Sequence, residues 1–337
     1  MMQIEHGGAL DRAVTRFGGA PAEWIDLSTG INPEVFPLPD IRPEIWNRLP
    51  DERLLASAMH AARIYYGVGN GAAIAAAPGT QALIQILPDL VSRGEVAILG
   101  PTYQEHQHSF SQAGWTVSNC ASISDIPRSA KVTVAVNPNN PDGRVLAREN
   151  LTDLAQEMQS RGGFLVVDEA FADPHPETSI AAHAGKRGLV ILKSFGKFFG
   201  LGGLRLGFAL ATPDIAQTLQ ARLGPWAVSG PALAIATDAF SDKARLADYT
   251  ARLQARRTML AHILAEAGLA ETGGTMLFAL IEFGRADLLH EALCKQCVLT
   301  RKFNYAPQWL RFGLPLDESA AGILRRRLAD ALNAIQR

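Results

Sequence analysis

The chain has 337 residues, 47% of them hydrophobic and 19% charged, which excludes a disordered chain and suffices for a large core without staples. A formal net charge of −1 leaves no uniformly basic surface for a polyphosphate backbone, so nucleic acid is not an expected partner. Three cysteines, Cys120, Cys294 and Cys297, make no disulfide framework and fit a reducing compartment.

The opening stretch MMQIEHGGALDRAV has neither a basic n-region nor an apolar h-region. No apolar run approaches the roughly 20 residues of a membrane span. The expectation is a cytoplasmic protein with no membrane partner. Residues 1–44, with Gly7-Gly8, Gly18-Gly19 and several prolines, read as an arm that contributes to a small domain and to the active site. From about 72 to 211 short apolar runs (AAIAAA, EVAIL, KVTVAV, GFLVVD, LVILKS, LRLGFALA) alternate with helical stretches. Several lack polar alternation, as strands covered on both faces do. The pattern predicts a mainly parallel sheet in an α/β layered domain, placed at 45–245. RENLTDLAQEMQS is one of its helices, with Asn150 as the expected cap.

Residues 231–268 read as long helices. Strand candidates TMLFALIEF, VLTRK and WLRFGL follow, then a closing helix from about 317. Residues 246–337 are therefore assigned to a second, smaller α+β domain. Cys294-Lys-Gln-Cys297 with His290 has the spacing of a three-ligand zinc site, but no second Cys pair accompanies it. The preferred reading is two small apolar residues on one helix face, with no metal. Arg325-Arg326-Arg327 reads as a solvated face of the last helix.

Ligands collect at the carboxyl ends of strands in such sheets, so polar residues there carry the chemistry. Gly79-Thr80-Gln81 follows AAIAAAP and opens a helix whose first N–H groups suit a phosphate. Asn137-Pro-Asn-Asn140-Pro-Asp-Gly143 ends KVTVAV, Asp168-Glu-Ala-Phe171 ends GFLVV, and Ser194-Phe-Gly-Lys197 ends LVILK, with Arg205 eight residues on. Each alone is weak, since such residues also cap helices and make turns.

Together, in this order and spacing, they resemble the fold-type I pyridoxal-phosphate (PLP) enzymes of the class I/II aminotransferase superfamily. The resemblance covers essentially the whole chain. It implies a large domain with a mainly parallel seven-stranded sheet between helices, a smaller α+β domain, and a homodimer. Lys197 matches the lysine that holds the cofactor covalently and acts in catalysis. Asp168 matches the carboxylate that keeps the pyridine nitrogen protonated. Gly79, Thr80, Ser194 and Arg205 match the positions around the cofactor's phosphate, and Gln81 matches a further cofactor-binding position. Tyr103 matches the aromatic against the ring, and Asn140 the donor to the ring's 3′ oxygen. One departure is Phe171, where the family often has tyrosine.

A finer resemblance is to the branch of L-threonine-O-3-phosphate decarboxylases of cobalamin biosynthesis. It rests on the early His6-Gly-Gly8, on STGINP ending at Asn32-Pro33, and on GPWAVSGPAL, KSFGKFFGLGGLRLGF and WLRFGLP. It implies a phosphorylated amino acid as substrate. Arg311 matches the carboxylate clamp and Arg301 a second substrate arginine, both suited to bidentate anion contacts. His6, Gly7, Asn32 and Asn140 match further substrate-binding positions. Histidinol-phosphate aminotransferases share most of these motifs and are the alternative.

Two other classes fit less well. A nicotinamide dehydrogenase needs strand-GxGxxG-helix order, whereas Gly200, Gly202 and Gly203 sit between Lys197 and Arg205. A PLP-binding sensor fused to a DNA-binding module needs a helix-turn-helix or basic cluster, which the first 40 residues lack. Tyr65-Tyr66 reads as core or surface in preference to a hydroxyl lent across a dimer, and Asp142, where the family has threonine, has no chemical role.

Overall fold

The apolar runs at the centre of the chain become neighbouring strands of one sheet. The computed structural model describes residues 6–336. In chain order its strands are β1 (Ile25–Asp26), β2 (Ala73–Ala77), β3 (Glu95–Leu99), β4 (Thr116–Cys120), β5 (Ala130–Val136), β6 (Phe164–Asp168), β7 (Leu189–Ser194), β8 (Gly207–Ala211), β9 (Glu271–Thr275), β10 (Phe278–Glu282), β11 (Val298–Leu299), β12 (Arg301–Lys302) and β13 (Trp309–Gly313). The large sheet runs β2-β8-β7-β6-β5-β3-β4. Every neighbouring pair is parallel except the two made by β8.

That direction pattern positions the chemistry. The carboxyl ends of β2, β3, β5, β6 and β7 share one edge, and Gly79, Tyr103, Asn140, Asp168 and Ser194 lie at or just beyond them. Because β8 runs the other way, its amino end reaches the same edge, and Arg205 stands two residues ahead of it. One face of the sheet buries Val134, Val166 and Leu192 against Ile84 and Phe110, from the helices Thr80–Ile86 and Gln104–Gln112. β4 escaped the sequence reading because TVSNC is polar. It is an edge strand with Thr116 and Asn119 exposed, so it needs no apolar face.

The expected cap Asn150 is not one. The helix starts earlier, at Arg148, is preceded by Ala147 and has no side-chain cap bond, so Asn150 is its exposed third residue.

By contacts the chain divides into two units, of 36–140 with 144–247 and of residues up to 35 with 141–143 and 248 onward. The first boundary therefore falls at Val35/Phe36, short of the expected 44/45. Phe36 is buried, its N–H donates to the Phe199 carbonyl at 2.9 Å, and its ring meets that of Phe199 edge-on. In the smaller unit β12-β13-β10-β9 form an antiparallel sheet, and β1 pairs in parallel with β11. TMLFALIEF contributes only β10 and the end of β9, split by a turn at Met276-Leu277. The arm packs here through Ala13 and Trp24 on Cys294 and Leu299. Cys297 is not on the helix of Cys294, which ends at Lys295, and adopts a left-handed φ of 55°. Burial pushes the Cys294 thiol up to about 12 and His290 down to about 4, so both are neutral at pH 7 where Sγ meets Nε2 at 3.6 Å. Arg327 departs from a solvated face: its guanidinium donates to the Glu23 and Cys297 carbonyls.

Residues 141–143 join this unit through backbone contact. The Gly274 N–H donates to the Asp142 carbonyl at 3.0 Å, so Asp142 has a backbone role. Gly143 has a φ of +74°, and a Cβ there would overlap the Gly274 carbonyl. Gly143→Ala is therefore expected to lower stability by about 2–4 kcal/mol in urea unfolding. Gly284→Ala, with open space around it, should stay within about 0.5 kcal/mol.

Candidate active site

Each functional side chain on the shared strand edge is held by its neighbours. Asp168 ends β6 and is only 3% exposed; its Oδ2 lies 2.8 Å from His106 Nε2, and Oδ1 accepts the Ala170 N–H at 3.1 Å. A carboxylate only accepts, so this bond assigns the His106 proton to Nε2. His106 is fully buried, and its Nδ1 has no hydrogen-bond partner among the described residues. The sequence reading missed His106; the signal was a polar residue on the buried face of Gln104–Gln112, three positions after Tyr103.

Tyr103 is fixed from behind. Its hydroxyl donates to Gln81 Oε1 at 3.3 Å, while Gln81 Nε2 donates to Glu105 at 2.6 Å. Gln81 thus serves the site through Tyr103 as well as through its place at the start of a helix. The loop after β5 is cross-linked to the loop after β3. Asn139 Nδ2 donates to the Pro101 carbonyl at 3.0 Å and its Oδ1 accepts from Thr102, while Arg144 donates to the Gly100 carbonyl. These bonds set the residues flanking Tyr103 and Asn140.

Gly79 is required by Arg205. With a φ of +82°, it would place a Cβ 2.7 Å from Arg205 Nη2. Its missing side chain lets the guanidinium lie beside the start of the helix Thr80–Ile86. Arg205 itself takes a left-handed φ of 53°, and its Nη1 donates to the Gly202 carbonyl at 3.2 Å. Lys197 is half-buried in the short helix Phe195–Phe198, its Nζ 5.7 Å from the Phe171 ring centroid. The site therefore offers a guanidinium and backbone N–H groups for a phosphate, a buried carboxyl for a ring nitrogen, an aromatic face and an amine. That donor set fits a phosphorylated pyridine aldehyde, and the glycine cradle at Arg205 is the feature that a Cβ would fill.

The smaller unit gathers a second set. β12 and β13 place Arg301 opposite Arg311. Arg311 is buried, donates from Nη2 to the Ser28 carbonyl at 2.9 Å, and lies over the Phe278 ring. Burial, and next the charge of Arg301, push its guanidinium down to about 9. Two cations so close favour an anion between them. Ser28 also receives the arm: its Oγ accepts the Gly8 N–H at 2.7 Å, and a Cβ on Gly7 would overlap its carbonyl. Asn32 is buried, with Oδ1 accepting the Glu34 N–H; His6 is exposed.

Tyr65 and Tyr66 are half-buried and packed among the aromatic rings of the larger unit. Tyr65 stacks on Phe240 and Tyr66 meets Phe208 edge-on. Near them Asp173 has both carboxyl oxygens sealed from solvent, with no hydrogen-bond partner among the described residues. Burial pushes it up to about 7, against the pull of Lys193. Above the ordinary carboxylate range the unfolded chain has lost this proton while the folded one keeps it. Stability is therefore lost from about pH 4 upward, and the loss is complete above about pH 7. Asp173→Asn is expected to raise stability at pH 8 by about 1–3 kcal/mol, after the cost of burying an amide, and the gain should vanish near pH 4. Thermal melts across pH check this.

This sheet, with lysine, aspartate and arginine on one strand edge, defines a transferase architecture, and the chain belongs to the aminotransferase class I and II family, whose model matches residues 42–328. Within that family a threonine-phosphate decarboxylase of Sinorhizobium sp is 47% identical over 331 residues, 98% of this chain and 97% of that one. One of Pseudomonas aeruginosa is 43% identical over 321 residues, covering 94% and 95%. Histidinol-phosphate aminotransferase from Sinorhizobium meliloti, solved in complex with pyridoxal-5'-phosphate, matches with a TM-score of 0.81 at 19% identity, over 99% of this chain and 96% of that one.

Among the described residues no cluster of three metal-ligating side chains occurs, and no helix is long and apolar enough to cross a membrane.

Proposed function

We propose that this chain is a PLP-dependent decarboxylase that converts L-threonine O-3-phosphate to (R)-1-amino-2-propanol O-2-phosphate and carbon dioxide in cobalamin biosynthesis. The observation that carries the reading is identity of 43–47% with threonine-phosphate decarboxylases over 94–98% of the chain. The likeness to histidinol-phosphate aminotransferase, at 19% identity, bears on the fold alone.

PLP supplies an electron sink for the pair released at Cα, provided its ring nitrogen stays protonated. Asp168, steadied by His106, holds that proton. Arg205, Ser194, Thr80 and the Gly79 backbone would hold the phosphate, and Tyr103, steadied by Gln81, would offer its face to the ring. Asn140 would donate to the ring's 3′ oxygen. Phe171 brings no hydroxyl, so that oxygen has no phenol donor from this position. Lys197, half-buried beside the Phe171 ring, would anchor the cofactor through its amine and would supply the proton that Cα takes up. Arg311 takes the substrate carboxylate and Arg301 its phosphate, with His6, Gly7 and Asn32 as further contacts. Decarboxylation requires the Cα–carboxylate bond to stand perpendicular to the ring, where transamination requires Cα–H there. The protein acts in the cytoplasm as a homodimer, and neither nucleic acid nor membrane is a partner.

Two reactions run side by side test the substrate. O-phospho-L-threonine alone should be turned over, and histidinol phosphate with 2-oxoglutarate should not. The reverse result would replace this reading with an aminotransferase.

A further inference from the structure

Behind the cofactor residues lies an ion pair that the reaction does not use. β6 and β7 are parallel neighbours, with Asp168 opposite Leu192, and the Glu169 N–H donates to the Leu192 carbonyl at 2.9 Å. Side chains alternate across a strand. Asp168, Leu192 and Ser194 therefore share one face, while Glu169 and Lys193 share the opposite one. There Lys193 Nζ meets Glu169 Oε2 at 2.5 Å, with side chains 2% and 0% exposed.

The pair is fully dressed. The Ser179 hydroxyl donates to Glu169 Oε2 at 2.5 Å and the Ile180 N–H to Oε1 at 2.8 Å. Lys193 Nζ also donates to Ser179 Oγ at 3.1 Å and sits 4.8 Å from the Tyr66 ring centroid. Asp173 is coupled electrostatically to both members of this pair. A buried ion pair is weak as a source of stability, because desolvation of both charges offsets their attraction, and an apolar pair of similar volume serves as well or better. What it adds is geometry: two charges with satisfied hydrogen bonds accept only one arrangement.

We propose that Lys193 is a positioning residue for the cofactor cup. Through Glu169 it locks the ends of β6 and β7, fixing the spacing between Asp168, one residue from Glu169, and Ser194, one residue from Lys193. These two strand ends carry the partner of the ring nitrogen and a ligand of the phosphate. The inference rests on the assignment of PLP to this site.

The test measures PLP affinity by absorbance titration of the apo-protein, beside its thermal melt. The Glu169→Gln/Lys193→Met double variant removes both charges and keeps the volume. It should fold and melt near the wild type, yet bind PLP roughly ten-fold more weakly with a shifted cofactor absorption band. Ser179→Ala, which leaves the charges and removes one bridging hydroxyl, should weaken binding by about three-fold and covers the case in which the double variant does not fold. Wild-type affinity and an unshifted band in the folded variants would overturn the proposal. Failure of the wild type itself to bind PLP would instead overturn the cofactor assignment on which it rests.

Discussion

Lys197→Ala is expected to lower turnover of O-phospho-L-threonine by on the order of 10⁴-fold, the largest effect of any single change in this chain. Two functions disappear together. In the proposed function the variant loses both the amine that would anchor the cofactor and the group that would return a proton to Cα. Borohydride treatment followed by peptide mass spectrometry separates them from misfolding. In the wild type the cofactor should become fixed to the peptide containing Lys197; in the variant nothing should be fixed, although PLP still binds through Arg205 and Asp168. Lys197 sits in a four-residue helix turn beside the buried Phe171 ring, and alanine is a good helix former, so the fold should be kept.

The second large effect is at Asp168. Asp168→Ala should reduce kcat by about 10²–10³-fold, because an electrostatic partner in a dry site is worth more than the same contact in water. The carboxyl is nearly sealed and is held at both oxygens, by His106 and by the Ala170 N–H. Removing it leaves His106 Nε2 without its acceptor as well. The KM for substrate should change far less than kcat, since the proposed function places Asp168 against the cofactor and away from the substrate. A fall in substrate affinity with kcat preserved would contradict its assigned place.

How much of this was legible in the sequence differs by residue. The strand-end motifs were readable because the sheet puts the carboxyl ends of parallel strands on one edge, and strand order then brings Gly79, Asp168 and Ser194 together without further information. Arg205 was readable from its distance to Lys197. That it needs a glycine opposite, at Gly79, became visible only with the φ of +82° and the closeness of the guanidinium. His106 was not readable, since a histidine three residues after a tyrosine has no fixed meaning until the helix direction is known. The same holds for Glu169 and Lys193. Each is adjacent in sequence to a cofactor residue, but alternation along the strand sends it to the other face, where it meets a partner 24 residues away. β4 was missed because an edge strand need not be apolar, and Asn150 was misplaced because helix starts are set by backbone geometry as much as by capping side chains.

The central claim is that an aminotransferase fold here removes carbon dioxide instead of exchanging an amine. The most direct measurement is to mix the PLP-loaded protein with excess O-phospho-L-threonine and no keto acid, and to count carbon dioxide and aminopropanol phosphate per active site by mass spectrometry. The account predicts many equivalents of each, in equal amounts, with the cofactor still PLP at the end. A single equivalent of pyridoxamine phosphate with no carbon dioxide would contradict it.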